Sequence, residues 1–441
     1  MSTWLGEMES LIGERFITSE AEREKLSKDY FWYSPVLDRK LKDKVADGIA
    51  AVKSEEDVRA VLAFAYKNNV PVTARGAGTG NYGQAVPLEK GIVLDLSGLD
   101  TILEIGDGYA RVQAGVKLGT IEKTARAQGQ ELRIYPSTYM VATAGGFVCG
   151  GSGGIGSITW GTLWDGNVLE ATVYTLEDQP RKLVISGEEL ARYIHNYGTT
   201  GVVTELKIPL APRQDWLQTV YHFDTLEQAA RFAEAVSKDD SVLKRLVSVM
   251  EWPIPAYFTP LKKVLEKDAA AVLLETVDGT IPALNGLAEP FGGRLGHTIE
   301  AASYKKGVSL SDFTWNHTTL WGLKSDPTIT YIQASFSGTE YMEQINTIKE
   351  KFGDEVIIHL EWMKARGRIA PGSIPIIRFT TEERLNEIIQ FFEATGVPVS
   401  NPHTWLLDDG GKGRADAMRL SKMSNDPRNL LNPGKIRLQA Q

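Results

Sequence analysis

The 441-residue sequence predicts an α+β fold built in more than one unit. Three observations carry that expectation. The stretch Tyr135 to Asp165 is dense in glycine, too dense for helix or packed strand, because glycine loses extra backbone entropy on ordering. A shorter run, Arg75-Gly76-Ala77-Gly78-Thr79-Gly80, follows the strand-like Val70 to Ala74, so two glycine loops separated by strands would grip one extended ligand, such as a dinucleotide. After about residue 213 the texture changes to recurring strands and helices.

Composition narrows the classes. Hydrophobic content of 42% and charged content of 24% are those of an ordinary globular protein. The net charge of −8, without a basic cluster, argues against nucleic acid and anionic membrane surfaces as partners. Cys149 is the sole cysteine, which excludes an internal disulfide and any cysteine-ligated cluster from this chain alone. No run of eighteen apolar residues exists, and the start at Met1 to Glu7 has neither a basic nor an apolar leader region. The expectation is a cytoplasmic protein without an integral membrane segment.

Residues 1–45 read as short charged helices packed on the outside. Ser54 opens a helix as N-cap, with acids in the first turn and Val58, Val61, Leu62 and Ala65 on one face, ending at Asn68-Asn69. The chain then enters the strand before the first loop. A strand running into Gly-x-Gly suits a Rossmann unit only if the glycines open a helix, and Asn81-Tyr82-Gly83 and Pro87 continue as loop instead. Strands Gly91 to Leu96 and Ala110 to Gly115 follow, then a helix from Leu118 to Gln128 stopped by Gly129. The long glycine stretch comes next, then strands Glu170 to Thr175 and Val202 to Leu210, the last closing on Pro209 and Pro212.

These motifs, in this order, resemble the flavoproteins of the vanillyl-alcohol oxidase and p-cresol methylhydroxylase (PCMH) superfamily. The likeness is closest to the branch of glycolate oxidase and D-lactate dehydrogenase. Arg75, Gly76, Ala77, Gly78, Thr79 and Gly80, with Gly83 and Pro87, match the first loop. Pro136, Thr143, Gly145, Gly146, Gly153, Gly154, Gly161 and Asp165 match the second. Gly198, Gly201, Val202, Val203 and Thr204 match a later element, and Asp426 to Lys435, with Asn432, the closing signature. The resemblance implies a two-subdomain PCMH-type FAD-binding domain over 46–213. A cap domain, a mainly antiparallel sheet covered by helices, would span 214–400, and 401–441 would return to the FAD domain. It implies FAD held by these residues, and held non-covalently, because Thr79 stands where some relatives tether flavin through histidine.

The cap departs from that branch. The histidines that bind a divalent metal there are missing, so no metal site is expected. Asn401-Pro402-His403-Thr404 keeps one histidine, which the resemblance makes the catalytic base. His317, beside Trp315 and Trp321, and Arg368, within Glu361 to Arg368, are further catalytic candidates, since an arginine fork suits a substrate carboxylate. His222 and His359, inside strands, read as structural. The expected function is FAD-dependent oxidation of a small hydroxylated substrate, a 2-hydroxy acid in the first instance. The alternatives are an alcohol, phenol or sugar, or a flavin-binding protein without catalysis of its own. Electrons would pass to oxygen, a quinone or a partner protein.

Overall fold

The computed structural model describes residues 4–303, 307–410 and 415–438. The first three residues of the chain start read above, and parts of the 401–441 segment, lie outside that description. The described residues form four sheets.

In the first, Ile92–Asp95 lies parallel to both Gly48–Ala51 and Val72–Arg75, and Phe16–Ile17 adds an antiparallel edge. Helix Glu55–Asn68 connects two of these strands. The Ser54 side chain accepts from the Asp57 N–H at its start, and Asn69, at φ 54°, ends it. The free edge of Val72–Arg75 is met by the closing signature. The Val72 N–H donates to the Leu430 carbonyl at 2.7 Å, and the Asn432 N–H donates to the Val72 carbonyl at 2.7 Å.

The second sheet is antiparallel, in the order Ile102–Gly106, Tyr109–Gln113, Val202–Pro212, Glu170–Tyr174, Lys182–Ser186, with Gln130–Leu132 beside the far end of Val202–Pro212. That long strand does not stop at Pro209; it pairs through it to Tyr109 and on to Pro212. The glycine stretch contains helix after all, at Ala144–Gly150 and Ser157–Trp160. The Thr143 hydroxyl accepts from the Gly146 N–H and starts the first. A Cβ at Gly145 would come within 2.7 Å of the Ala114 Cβ, so close packing on the preceding strand offsets the entropic cost of glycine there.

The third sheet has eight strands, all paired antiparallel, in the order Arg294–Ile299, Trp216–Phe223, Ala270–Val277, Lys244–Met250, His359–Ala365, Arg368–Ser373, Gln333–Ser335, Val399–Ser400. Helices Leu226–Lys238, Tyr341–Phe352 and Glu382–Ala394 bury their apolar faces in one cluster with Tyr221, Phe223, Val247, Val249, Leu360 and Trp362 of that sheet. The chain over 329–336 divides between two sheets. Ile329–Tyr331 pairs in a fourth, three-stranded sheet, and Gln333–Ser335 joins the eight-stranded one.

The amino-terminal segment does more than pack outside. Helices Trp4–Ile12, Glu20–Leu26 and Pro35–Leu41 cover the first sheet and its flank, but the aromatic turn Tyr30 to Tyr33 runs inward, its Tyr30 N–H donating to the Gly80 carbonyl.

Candidate active site

The two glycine loops, the aromatic turn and the near edge of the eight-stranded sheet face one cleft of about 310 Å³. The first loop supplies Arg75 to Gly80, and the second supplies Pro136, Thr143, Gly145, Gly146 and Gly153; Gly201 and Val203 close one end. The loops also touch each other, for a Cβ at Gly76 would fall 2.1 Å from the Thr143 hydroxyl. Arg75 passes beneath Gly78, donating to the carbonyls of Lys28 at 2.6 Å and Ala77 at 3.4 Å, so its charge lies under the loop. The amides of Ala77, Gly78, Thr79 and Gly80 have no hydrogen-bond partner among the described residues. Backbone N–H groups gathered over a buried cation form a cradle for an anion such as a pyrophosphate. The residues present therefore fit FAD.

Five residues aligned with cofactor-binding positions stand behind this lining. Gly83, at φ 73°, packs on Leu41 and its carbonyl accepts from Lys435. Gly154 lies against the Tyr135 carbonyl. Gly161, at φ 82°, makes room for Asp165, whose carboxylate accepts from the Thr162 N–H and hydroxyl and from the Arg366 N–H at 2.9 Å. Asn432, fully buried at φ 41°, donates to the carbonyls of Gln84 and Tyr197 at 2.8 and 2.7 Å and so fastens the floor.

The catalytic candidates separate. His317, on helix Asn316–Ser325, faces the cleft. Burial holds its imidazole down at about 4, with Lys324 pushing the same way, so it is neutral at pH 7. Arg368 sits exposed near the tip of the hairpin joining His359–Ala365 to Arg368–Ser373, outside the lining. His403 is also outside it, 7% exposed, with both ring nitrogens engaged. Its Nε2–H donates to the Tyr331 carbonyl at 2.7 Å, and its Nδ1 meets the Ser34 hydroxyl at 2.7 Å. Burial pulls its imidazole down to about 4. It ties the aromatic turn to the cap and leaves no nitrogen for a substrate.

Other lining residues were not catalytic or cofactor-binding candidates from sequence, Trp315 and Glu361 standing there only as neighbours of His317 and Arg368. Asp29, Tyr30 and Tyr33 come from the amino-terminal turn, and Tyr82 and Gln84 follow the first loop. His195 and Tyr197 line the wall at φ 54° and 53°, with His195 Nδ1–H donating to the Gly151 carbonyl at 2.9 Å. Their only signal was a place just before Gly198-x-x-Gly201. From the cap come Trp315, Asn316, Gln333, Glu361, Met363 and Ser373. Trp315 stands at φ 54°, ψ −140°, an outlier for a bulky residue. The Trp315 Nε1 and Asn316 Oδ1 are buried without a partner among the described residues. The Cys149 thiol is pushed up to about 12 by burial, which makes it an inert wall group. Among the described residues no group of three His, Cys, Asp or Glu side chains is placed to hold a metal, and no helix is long and apolar enough to cross a membrane.

Residues 46–178 match the FAD-binding domain family. That stretch is accordingly an FAD-binding domain, and the cofactor is FAD. The chain is similar to glycolate oxidase subunit GlcD of Escherichia coli K12, 30% identical over 236 residues, covering 52% of this chain and 47% of that protein. The chain thus spans about half the length of that relative. It is also 25% identical over 421 residues to GlcD of Bacillus subtilis, 88% of each chain. To a D-lactate dehydrogenase of Archaeoglobus fulgidus it is 26% identical over 480 residues, 98% of this chain and 99% of that one. Among solved structures, alkyldihydroxyacetonephosphate synthase superposes with a TM-score of 0.74 at 14% identity over 98% of this chain and 86% of its own, a likeness of fold.

Proposed function

We propose that the protein is an FAD-dependent oxidoreductase that oxidises a CH–OH group of a small substrate, with a 2-hydroxy acid of the glycolate or D-lactate kind as the first reading. The observation that supports it most is the convergence of both glycine loops and the cap's polar residues on one cleft. Bound FAD supplies a two-electron acceptor that takes hydride at N5. The amides of Ala77 to Gly80 and the Arg75 charge beneath them would hold the pyrophosphate, while Gly145, Gly146 and Gly153 let backbone pass close to the cofactor. Gly201 and Val203 would pack on the adenosine side. Trp315, His317, Gln333 and Glu361 would stand at the ring end, orienting the substrate and excluding water. Thr79 offers no imidazole, so the cofactor would be held without a covalent bond. With domain limits of 46–213 and 214–400, the reacting end would lie between FAD domain and cap, a common place for small-molecule sites. We further assign the protein to the cytoplasm and its electrons to oxygen, a quinone or a partner protein.

One observation favours a neutral alcohol or sugar as the second reading. Arg75 is the single arginine or lysine lining the cleft among the described residues, and it is committed beneath the first loop, while the ring end carries the Glu361 carboxylate. Anaerobic titration of the holoprotein with glycolate, D-lactate, glycerol, 1,2-propanediol and glucose, following flavin bleaching, tests both. Reduction by the hydroxy acids alone sinks the second reading. Reduction by none of them sinks CH–OH oxidation as proposed.

A further inference from the structure

We propose that Glu361 is the group that takes the substrate's hydroxyl proton, held in aim by His359, Ser248 and the backbone of Trp315. The proposal rests on the CH–OH oxidation reading above. Glu361 lies on strand His359–Ala365, 2% exposed, with its carboxylate on the cleft wall. One oxygen, Oε1, accepts three hydrogen bonds: from the Trp315 N–H at 2.6 Å, His359 Nε2–H at 2.8 Å and the Ser248 hydroxyl at 2.9 Å. The other, Oε2, has no partner among the described residues and is not among the buried unpaired atoms, so it is the oxygen left open to the cleft. Three donors on one oxygen fix the plane of the group.

The surroundings are arranged around that carboxylate. His359 is fully buried, and its Nδ1 has no partner. The neutral tautomer with hydrogen on Nε2 satisfies Glu361 and leaves a bare acceptor at Nδ1, which costs less than a stranded N–H. Trp315 is held at positive φ by its N–H bond to Glu361. A side chain at Gly153 would lie 3.6 Å from the Trp315 ring and 3.5 Å from the Met363 methyl, so this corner of the cap faces the second glycine loop directly.

His317 is the competing acceptor, and charge decides between them. A proton arriving at His317 creates a cation where burial and Lys324 both oppose it. A proton arriving at Glu361 Oε2 discharges a buried anion. In the step, the substrate O–H bond breaks and its proton goes to Oε2, giving a neutral carboxyl. The carbon-bound hydrogen leaves with its electron pair to FAD, and the C–O bond becomes a carbonyl. His317 would accept a hydrogen bond from the substrate without taking its proton.

The test uses FAD-loaded wild type, Glu361→Gln, Glu361→Asp and His317→Asn, with two readouts. The first is anaerobic flavin reduction by whichever compound of the panel reduces wild type. The second is the dissociation constant of sulfite, an anion that adds to oxidised flavins and is opposed by a nearby carboxylate. Glu361→Gln should slow reduction about 10²–10⁴-fold, the usual effect of a positioned acid–base group. It should tighten sulfite at least about tenfold by removing the charge. Glu361→Asp keeps the charge but shortens the arm, so sulfite affinity should stay near wild type while reduction falls at least about tenfold. His317→Asn should cost less than about tenfold. Glu361→Gln reducing its flavin at the wild-type rate, or binding sulfite no more tightly, overturns the assignment. If no panel compound reduces wild type, CH–OH oxidation fails; the sulfite comparison still decides whether Glu361 faces the flavin. If Glu361→Gln does not retain FAD, Glu361→Asp reducing at the wild-type rate overturns the proposal by itself.

Discussion

Replacing His403 should show up in acid stability and hardly at all in flavin reduction. The ring joins the Ser34 hydroxyl to the Tyr331 carbonyl, and burial sets its folded pKa at about 4. In the unfolded chain a histidine titrates near 6.5. Between those values the unfolded state binds the extra proton, so stability contributed by neutral His403 is full above pH 6.5 and drains as pH falls toward 4. The difference corresponds to about 3 kcal/mol at 1.36 kcal/mol per pH unit. His403→Asn loses the imidazole and leaves the Ser34 and Tyr331 partners imperfectly paired, which costs about 2–4 kcal/mol at pH 7.5. Asp29, raised to about 6, Lys435, lowered to about 7, and His317 titrate in both proteins and cancel in the comparison. Urea unfolding of wild type and variant at pH 7.5, 6, 5 and 4.5 should therefore show a stability gap that narrows on acidification. A gap that stays constant would refute the buried neutral ring. A hundredfold loss of flavin reduction at unchanged stability would restore His403 to the chemistry.

Acid precipitation should release all FAD into the supernatant, because Thr79 cannot form a histidyl bond; a yellow pellet would show a covalent link. Gly146→Val and Gly153→Val should lose FAD, measured by absorbance ratio, since both line the cleft and Gly153 already faces Trp315 and Met363. Gly286→Ala, on a helix with open space around it, is the matching control and should keep stoichiometric FAD; Gly187, at φ 62°, would be strained by any side chain. Prolonged EDTA treatment should leave the rate of flavin reduction unchanged, and recovery of lost activity by zinc or manganese would reveal a metal requirement.

Most of the local structure was legible because it follows periodicity and capping. The helix between Ser54 and Asn69, and the one that starts at Leu118, are where side-chain patterns place them. The glycine loops were legible for a different reason, the backbone conformations they permit. What escaped was contact across hundreds of residues. Nothing local says that Tyr30 reaches Gly80, that Ser34 meets His403, or that one Glu361 oxygen collects three donors. Alignment with relatives put His403 at a catalytic position, but the turn through Ser34 covers it. Gly154 and Gly161 followed the motif faithfully, yet their glycines are required by Tyr135 and Asp165 rather than by the lining.

Asn432 fastens the floor of the cleft to Gln84 and Tyr197, and Leu430 and Asn432 flank Val72. The separation of 348 positions along the chain from Gln84 to Asn432 gives that clamp a consequence during synthesis. While the ribosome is still making the cap, Val72–Arg75 has an unpaired edge and the Gln84 and Tyr197 carbonyls have no amide to meet. At roughly 5–20 residues per second the amino-terminal half waits tens of seconds for its last strand-like partner. A nascent chain stalled before Asn432 would hold an open, hydrated cleft with an adhesive strand edge beside it.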